Sequence, residues 1–319
     1  MKLCLVYNPK DSKFRTDAYC SIFKEMFDAL IQKFNCKQFV TDNCSAKDLD
    51  ADLIFFFDPH SSHHVEIEGI DKHLAIKMEY WNDLHQKEVK GVYQTLNQYV
   101  HKLGEEQRVR RAEKRGINFI VSPSKYFFYE NFTKYFGNQT SKMLLYFPHA
   151  PEMEEKMIPF KERKQSVLGN GATWGDFNDG YGFRRWAYEQ PYVYFVEHYI
   201  KNKETPKNQD YRKYLSEFCG ALVLCSVFPV PKYYEIPASG CVTFAEYHKE
   251  YEELGFRDYE TCIYVNRDNF EKRIKDFLAD IPSYQKIAET GYKLMEENYT
   301  AKHFANFLYN HVEKYAFKN

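Results

Sequence analysis

Short apolar runs alternate with segments of helical spacing along most of this chain, and that alternation restricts the fold more than any other feature. In the first half, "KLCLVYN", "ADLIFFF", "LAIKMEYW" and "NFIVSPS" read as strands. "YCSIFKEMFDALIQKF", "GVYQTLNQYVHKLGEEQRVRRAEKRG" and "KYFFYENFTKYFG" carry helical spacing, the last closed by Gly137. "KMLLYFPHAP" is a further strand ending in two prolines, and the polar stretch "EMEEKMIPFKERKQ" behind it marks a linker. A second series begins with "SVLGNG", passes through "RRWAYEQ", "YVYFV" and "YRKYLSEF", and reaches "ALVLCSV". After "TCIYV" the pattern is helical to the end, with Thr300 as N-cap of the last segment. The rhythm predicts an α/β chain of two Rossmann-like domains, residues 1–155 and 156–319, the second finished by closing helices. A length of 319 residues suits two domains of roughly 150 each.

Charge and hydropathy narrow the function. Forty-four Lys and Arg against 45 Asp and Glu leave a net charge of −1, without the basic excess that drives sequence-independent nucleic-acid binding. Apolar runs such as "LIFFF" and "ALVLCSVF" are far short of the roughly 20 residues a bilayer requires. Met1 leads straight into "KLCLVY" with no small-residue cleavage site behind it, so the expected location is cytoplasmic, without membrane insertion. The 8 cysteines lie in apolar segments without a CxxC pair and read as small hydrophobes, not as zinc or redox ligands.

"VPKYYEIPASGCVTF", residues 230–244, is the most informative stretch. Pro237 has no amide hydrogen and fits a helix at its first turn, so a short helix is predicted from Tyr233 or Tyr234, ended by Gly240 and followed by a buried strand. Glu235 then stands in that first turn beside the sheet edge where α/β proteins hold ligands. In "GNGATWG", Gly169 and Gly171 would let backbone amides approach a phosphate, and Arg184 of "YGFRRW" could clamp a diphosphate.

"DPHSSHH", residues 58–64, follows an apolar strand and so belongs to a loop at its carboxyl end. Asp58, His60, His63 and His64, with Asp83 and His85 from the next strand end, could be read as metal ligands, but the spacing matches no recognised frame. Acceptor binding and general-base work fit better, because an imidazole titrates near neutral pH and can take a proton from a hydroxyl. A plain loop that uses these groups for capping is the third reading. Trp81 beside Asp83 offers a face on which a sugar could stack. The mixed charges of "EEQRVRRAEKRG" read as a solvated helix face.

Two consecutive Rossmann-like halves, with a lone glutamate before "ASG" and a strand in the second, resemble the GT-B glycosyltransferases, and most of all the group related to spore maturation protein CgeB. "YFPHAP" is similar to the family's interdomain strand, "SVLGNG" to the first strand of its donor domain, and "AETGYKLMEENYTAKHFANFL" to its closing helices. The amino-terminal half matches loosely, through "KMEYWNDLH".

The resemblance implies that Glu235 binds the ribose hydroxyls of a nucleotide-sugar and Lys232 its diphosphate, with Tyr233, Ser239 and Gly240 of the same motif at the donor. A carboxylate can accept from two vicinal hydroxyls at once, and a lysine serves phosphate as a point charge. Better-known retaining relatives carry a second glutamate eight positions earlier, where this chain has Val227. The implied activity is transfer of a glycosyl group from a nucleoside-diphosphate sugar to a hydroxyl, with retention suggested by the family and inversion left open by that valine. In this reading the catalytic candidates are His60, Asp83 and Asp58, the acceptor-side candidates His63, His64, Trp81 and His85, and no metal or other cofactor is required. Glycosylation of modified DNA bases, sugar-nucleotide epimerisation and non-catalytic nucleotide binding stay open as alternatives.

Overall fold

The structure, a computed structural model, describes residues 1–9, 21–57, 65–82, 104–153, 156–171, 182–196 and 209–316. Two compact units emerge, one holding most of the chain up to Pro148 together with the last helix, the other His149–Thr300 with the short piece Tyr19–Ile22. The strands are β1 (Leu3–Val6), β2 (Gln38–Val40), β3 (Cys44–Ser45), β4 (Leu53–Phe56), β5 (Ile67–Glu68), β6 (Ile76–Tyr80), β7 (Phe119–Ser122), β8 (Leu144–Tyr146), β9 (Lys164–Asn170), β10 (Val193–Val196), β11 (Phe218–Val223), β12 (Val242–Ala245) and β13 (Ile263–Tyr264). The helices are α1 (Ile22–Phe34), α2 (Glu105–Arg115), α3 (Lys125–Phe136), α4 (Thr140–Met143), α5 (Gly182–Tyr188), α6 (Gln209–Ser216), α7 (Lys232–Ala238), α8 (Lys249–Glu253), α9 (Phe270–Ala279), α10 (Gln285–Asn298) and α11 (Ala301–Ala316).

In the first unit the sheet order is β2-β1-β4-β6-β7-β8, and every pairing is parallel. Parallel strands need crossovers and are covered on both faces, which is why β1, β4 and β7 are buried along their whole length. One face packs Val6, Ile54, Phe56 and Ile120 against Val109 and Ala112 of α2 and Phe128 and Phe132 of α3. The other is aromatic: Phe57 stacks on Tyr80, and Tyr80 meets Phe304 of α11 at 6.4 Å between ring centres.

α11 therefore groups with the first unit, whereas the sequence reading kept all closing helices in residues 156–319. Its apolar stripe explains the placement: Phe304 also packs on Phe147, His311 on Phe119 and Tyr309 on Phe34.

The expected solvated face on α2 is corrected as well. Arg108, Arg111 and Arg115 are buried. Arg111 pairs with the fully buried Glu79 of β6, and Arg115 reaches the other carboxylate oxygen at 3.3 Å while its guanidinium covers the Phe56 ring. Burial would push the Glu79 carboxyl up, but the two guanidinium groups outweigh it and hold the group below its ordinary range.

The second unit carries a parallel sheet of order β10-β9-β11-β12-β13. Because β9 is flanked by β10 on one side and β11 on the other, the chain reverses direction across the sheet there, which makes the carboxyl edge of β9 and β11 a topological switch point. α10 lies close on α7 because Gly291 has no side chain: a Cβ there would stand 2.6 Å from the Thr261 carbonyl oxygen and 3.6 Å from Pro237.

Candidate functional site

The site is built where β9 and β11 end. α7 starts at Lys232, earlier than the sequence predicts, so Pro237 sits near its end and not in its first turn. The physical reason is a replacement donor. Pro237 leaves the Tyr233 carbonyl without its usual amide, and the Tyr251 hydroxyl donates to that oxygen at 2.8 Å. Glu235 stays in the first turn, its amide donating to the Pro231 carbonyl at 3.1 Å. Lys232 and Glu235 are both buried.

Lys232 reaches across to β9. Its ammonium donates to the Asn170 carbonyl oxygen and, at 3.1 Å, to Asn170 Oδ1. Gly171 follows with φ of +130°, a conformation that suits glycine, and a Cβ there would lie 2.8 Å from Lys232 Nζ and 3.7 Å from Arg184 Nη1. Arg184, buried on α5, is aimed by its Nε donating to the Leu224 carbonyl at 2.7 Å. Three segments far apart in sequence thus bring two cations and a side-chain-free backbone together at the switch point. Such an arrangement can hold an anion: the ammonium acts as a point charge, the guanidinium as a fork, and the glycine lets a phosphate oxygen come close.

Other sequence candidates have different places. Gly169 lies inside β9, where a Cβ would meet Tyr188 and Val193 at 2.9 Å, so its missing side chain serves strand-to-helix packing and not phosphate approach. Ser239 and Gly240 close α7 at the end away from Lys232. Ser239 Oγ donates to the Glu235 carbonyl, Arg163 Nη1 donates to the Ser239 carbonyl, and Gly240 takes φ of +68° against Met157. These contacts make them helix-ending residues.

Tyr233 is fully buried, and its hydroxyl lies between the loop after β11 and the residue after β12, donating to the Glu246 carbonyl at 3.1 Å with the Cys225 carbonyl at 3.4 Å. Trp81 is fully buried too, packed on Phe128, Phe132 and Phe136, so its ring is core and not a sugar-stacking face. Asp58, His60, His63, His64, Asp83 and His85 lie outside the described residues. Among the described residues no group of His, Cys, Asp or Glu is placed to hold a metal ion.

One residue escaped the sequence reading. Glu246 is the first residue past β12, with its amide on the Val223 carbonyl. Burial raises its carboxyl to about 7, with Arg184 pulling the other way. The signal was available: a carboxylate directly after the apolar run "CVTFA" stands at a strand's carboxyl end.

Residues 154–310 match the Glycosyl transferase-like family. That segment is a glycosyltransferase-like domain. No curated protein sequence matches the chain significantly. Among solved structures, Anabaena HepE, determined with UDP and glucose, is 9% identical, with a TM-score of 0.58 over 98% of this chain and 99% of that one. An α-glucosyltransferase bound to UDP and a 13-mer DNA with an A:G mismatch is 13% identical, with a TM-score of 0.59 over 98% of this chain and 99% of that one. S. aureus TarM, solved with UDP, gives 10% identity and a TM-score of 0.54 over 82% of this chain, which spans 55% of TarM. At such identities the likeness is one of fold, and the fold is that of the GT-B glycosyltransferases. Among the described residues no helix is long and apolar enough to cross a membrane.

Proposed function

We propose that this protein is a glycosyltransferase of the CgeB-like group that takes a sugar from a UDP-sugar and passes it to a hydroxyl acceptor. The observation that carries the reading is the convergence of Lys232, Arg184 and Gly171 at the switch point of the second unit, with Glu235 on the same helical turn as Lys232. In this reading Glu235 accepts hydrogen bonds from the ribose hydroxyls, while Lys232 and Arg184 meet the charge that builds on the diphosphate as the glycosidic bond breaks. UDP is the nucleotide of choice because the neighbours in fold were solved with it. No metal is assigned to the step, the two cations taking that role. The outcome assigned is retention and the location cytoplasmic.

His60 and Asp83 are assigned to the acceptor side, one of them drawing the proton from the attacking hydroxyl, and Asp58, His63, His64 and His85 are assigned to supporting roles in the same step. A saccharide or protein hydroxyl is preferred over DNA as acceptor, since the net charge of −1 supplies no phosphate-binding excess. His60→Ala or Asp83→Asn should lower transfer while leaving UDP-sugar affinity near wild type.

The reading is tested by thermal-shift screening with UDP-, GDP-, ADP-, CMP- and dTDP-sugars, followed by calorimetry on Glu235→Ala. A ligand that binds only the folded state raises the midpoint, and UDP-sugars should do so most. Glu235→Ala should weaken UDP-glucose by roughly tenfold to more than a hundredfold, the effect of losing about 1.5 to 3 kcal/mol from a charged hydrogen bond. Unchanged affinity would remove Glu235 from the donor site.

A further inference from the structure

Glu246 occupies a position that the reading above leaves unused. Its main chain is fixed on both sides, the amide donating to the Val223 carbonyl and the carbonyl accepting from the Tyr233 hydroxyl at 3.1 Å. Since the sheet is parallel, Glu246 stands on the same carboxyl edge as Asn170 and Gly171. Its side chain borders a hollow of about 290 Å³ shared with Ser226, Tyr247, Tyr264, Asn266 and Asn269.

Most polar groups of that hollow are engaged. Arg273 holds Asp258 with both carboxylate oxygens, at 2.8 and 2.9 Å, Asn266 Oδ1 accepts from the amides of Asp268 and Asn269, and Asn269 Oδ1 accepts from the Asn266 amide. Glu246 Oε2 is buried and has no hydrogen-bond partner among the described residues. A buried acceptor left without a donor is costly, so the position suits a ligand that brings one.

The surroundings say what kind. Arg184 already acts on this carboxyl electrostatically, and Arg273 lines the same hollow, so the protein itself supplies cationic charge near the group and a neutral donor is sufficient. The Tyr247 and Tyr264 rings, 5.2 Å apart, supply apolar surface, and the Ser226 hydroxyl supplies a further donor or acceptor. A neutral polyol meets all of these demands. Arg184, whose charge acts on Glu246, is also one of the two cations proposed to hold the diphosphate.

We propose that Glu246 reads a hydroxyl of the sugar carried by the donor and thereby sets which sugar is accepted. This rests on the donor assignment made above. With its carboxyl raised to about 7 by burial, both protonation forms are present at neutral pH, so the group can accept from a sugar hydroxyl or donate to it.

The experiment titrates UDP, UDP-glucose and UDP-galactose into wild type, Glu246→Gln and Glu246→Met. Methionine keeps the size and removes the acceptor, whereas glutamine keeps one acceptor oxygen. UDP should bind all three proteins within about twofold, which also shows that the variants are folded. The preferred UDP-sugar should lose roughly tenfold or more in the Met variant and less in the Gln variant, and discrimination between the two sugars should narrow. Wild-type UDP-sugar affinity and discrimination in Glu246→Met overturn the assignment, as does an equal loss for UDP and UDP-sugar. A wild type that binds UDP but neither sugar nucleotide more selectively overturns the sugar reading alone. A wild type that binds none of the three overturns the donor reading together with it.

Discussion

Gly171→Ala perturbs the proposed phosphate cradle with a single methyl group. At φ of +130° an alanine is strained, and holding a residue in such a region costs on the order of 1 to 3 kcal/mol. The added Cβ would also lie 2.8 Å from Lys232 Nζ, closer than real contacts allow. Because Nζ is the far end of a flexible chain, the ammonium and not the backbone gives way. It can do so only by loosening its hydrogen bonds to Asn170, each worth about 1.5 to 3 kcal/mol as a charge-assisted bond. The same displacement takes the cation from its place opposite Arg184, so UDP affinity should fall by roughly tenfold or more.

Calorimetry gives the affinity and differential scanning the stability, with a midpoint lower by several degrees. Gly182→Ala is the matched control, because nothing described lies within 4 Å of its Cβ position and its φ is ordinary. It should leave both quantities near wild type. Wild-type UDP affinity in Gly171→Ala would refute the argument that the Gly171, Lys232 and Arg184 cluster receives the diphosphate.

Three further outcomes are expected. Glu79→Gln should destabilise the first unit by about 3 to 5 kcal/mol at neutral pH in denaturant unfolding, because Arg111 and Arg115 lose their buried counter-charge. Since the Glu79 carboxyl is held below its ordinary range, that contribution is present above the usual carboxylate pKa and lost as the pH falls, so the two proteins should converge in acid. Glu246 has the opposite sign. A carboxyl raised from 4.5 to about 7 stabilises the fold only in acid, so Glu246→Gln should gain on wild type in melting temperature as the pH rises through that interval, despite the opposing pull of Arg184. Turnover in EDTA should match turnover in magnesium, and its complete loss, restored by one particular metal, would move Asp58, His60, His63 and His64 into a metal site.

The strand frame was legible because parallel strands covered on both faces are written as unbroken apolar runs, and "KLCLV", "LIFF" and "VTFA" all fall where such runs were read. Glu235 does stand on a first turn, as expected, although the expectation came through Pro237, which lies near the helix end and not in that turn. What failed was tertiary. Nothing local says that Glu79, 32 residues before Arg111, turns a charged helix face inward. Nothing near Pro237 announces the Tyr251 hydroxyl that lets a proline sit late in a helix. Trp81 was misread because an aromatic after a strand looks alike whether it stacks on a sugar or on Phe132. Gly169 and Gly171, two residues apart in sequence, divided into a packing role and a cradle role only once Tyr188 and Lys232 were placed beside them.

The most direct test of the central claim is a crystal structure of the protein with UDP. The ribose hydroxyls should lie on the Glu235 carboxylate and the diphosphate between Lys232, Arg184 and the Gly171 backbone. A nucleotide bound elsewhere, or at this edge with its ribose away from Glu235, would contradict it.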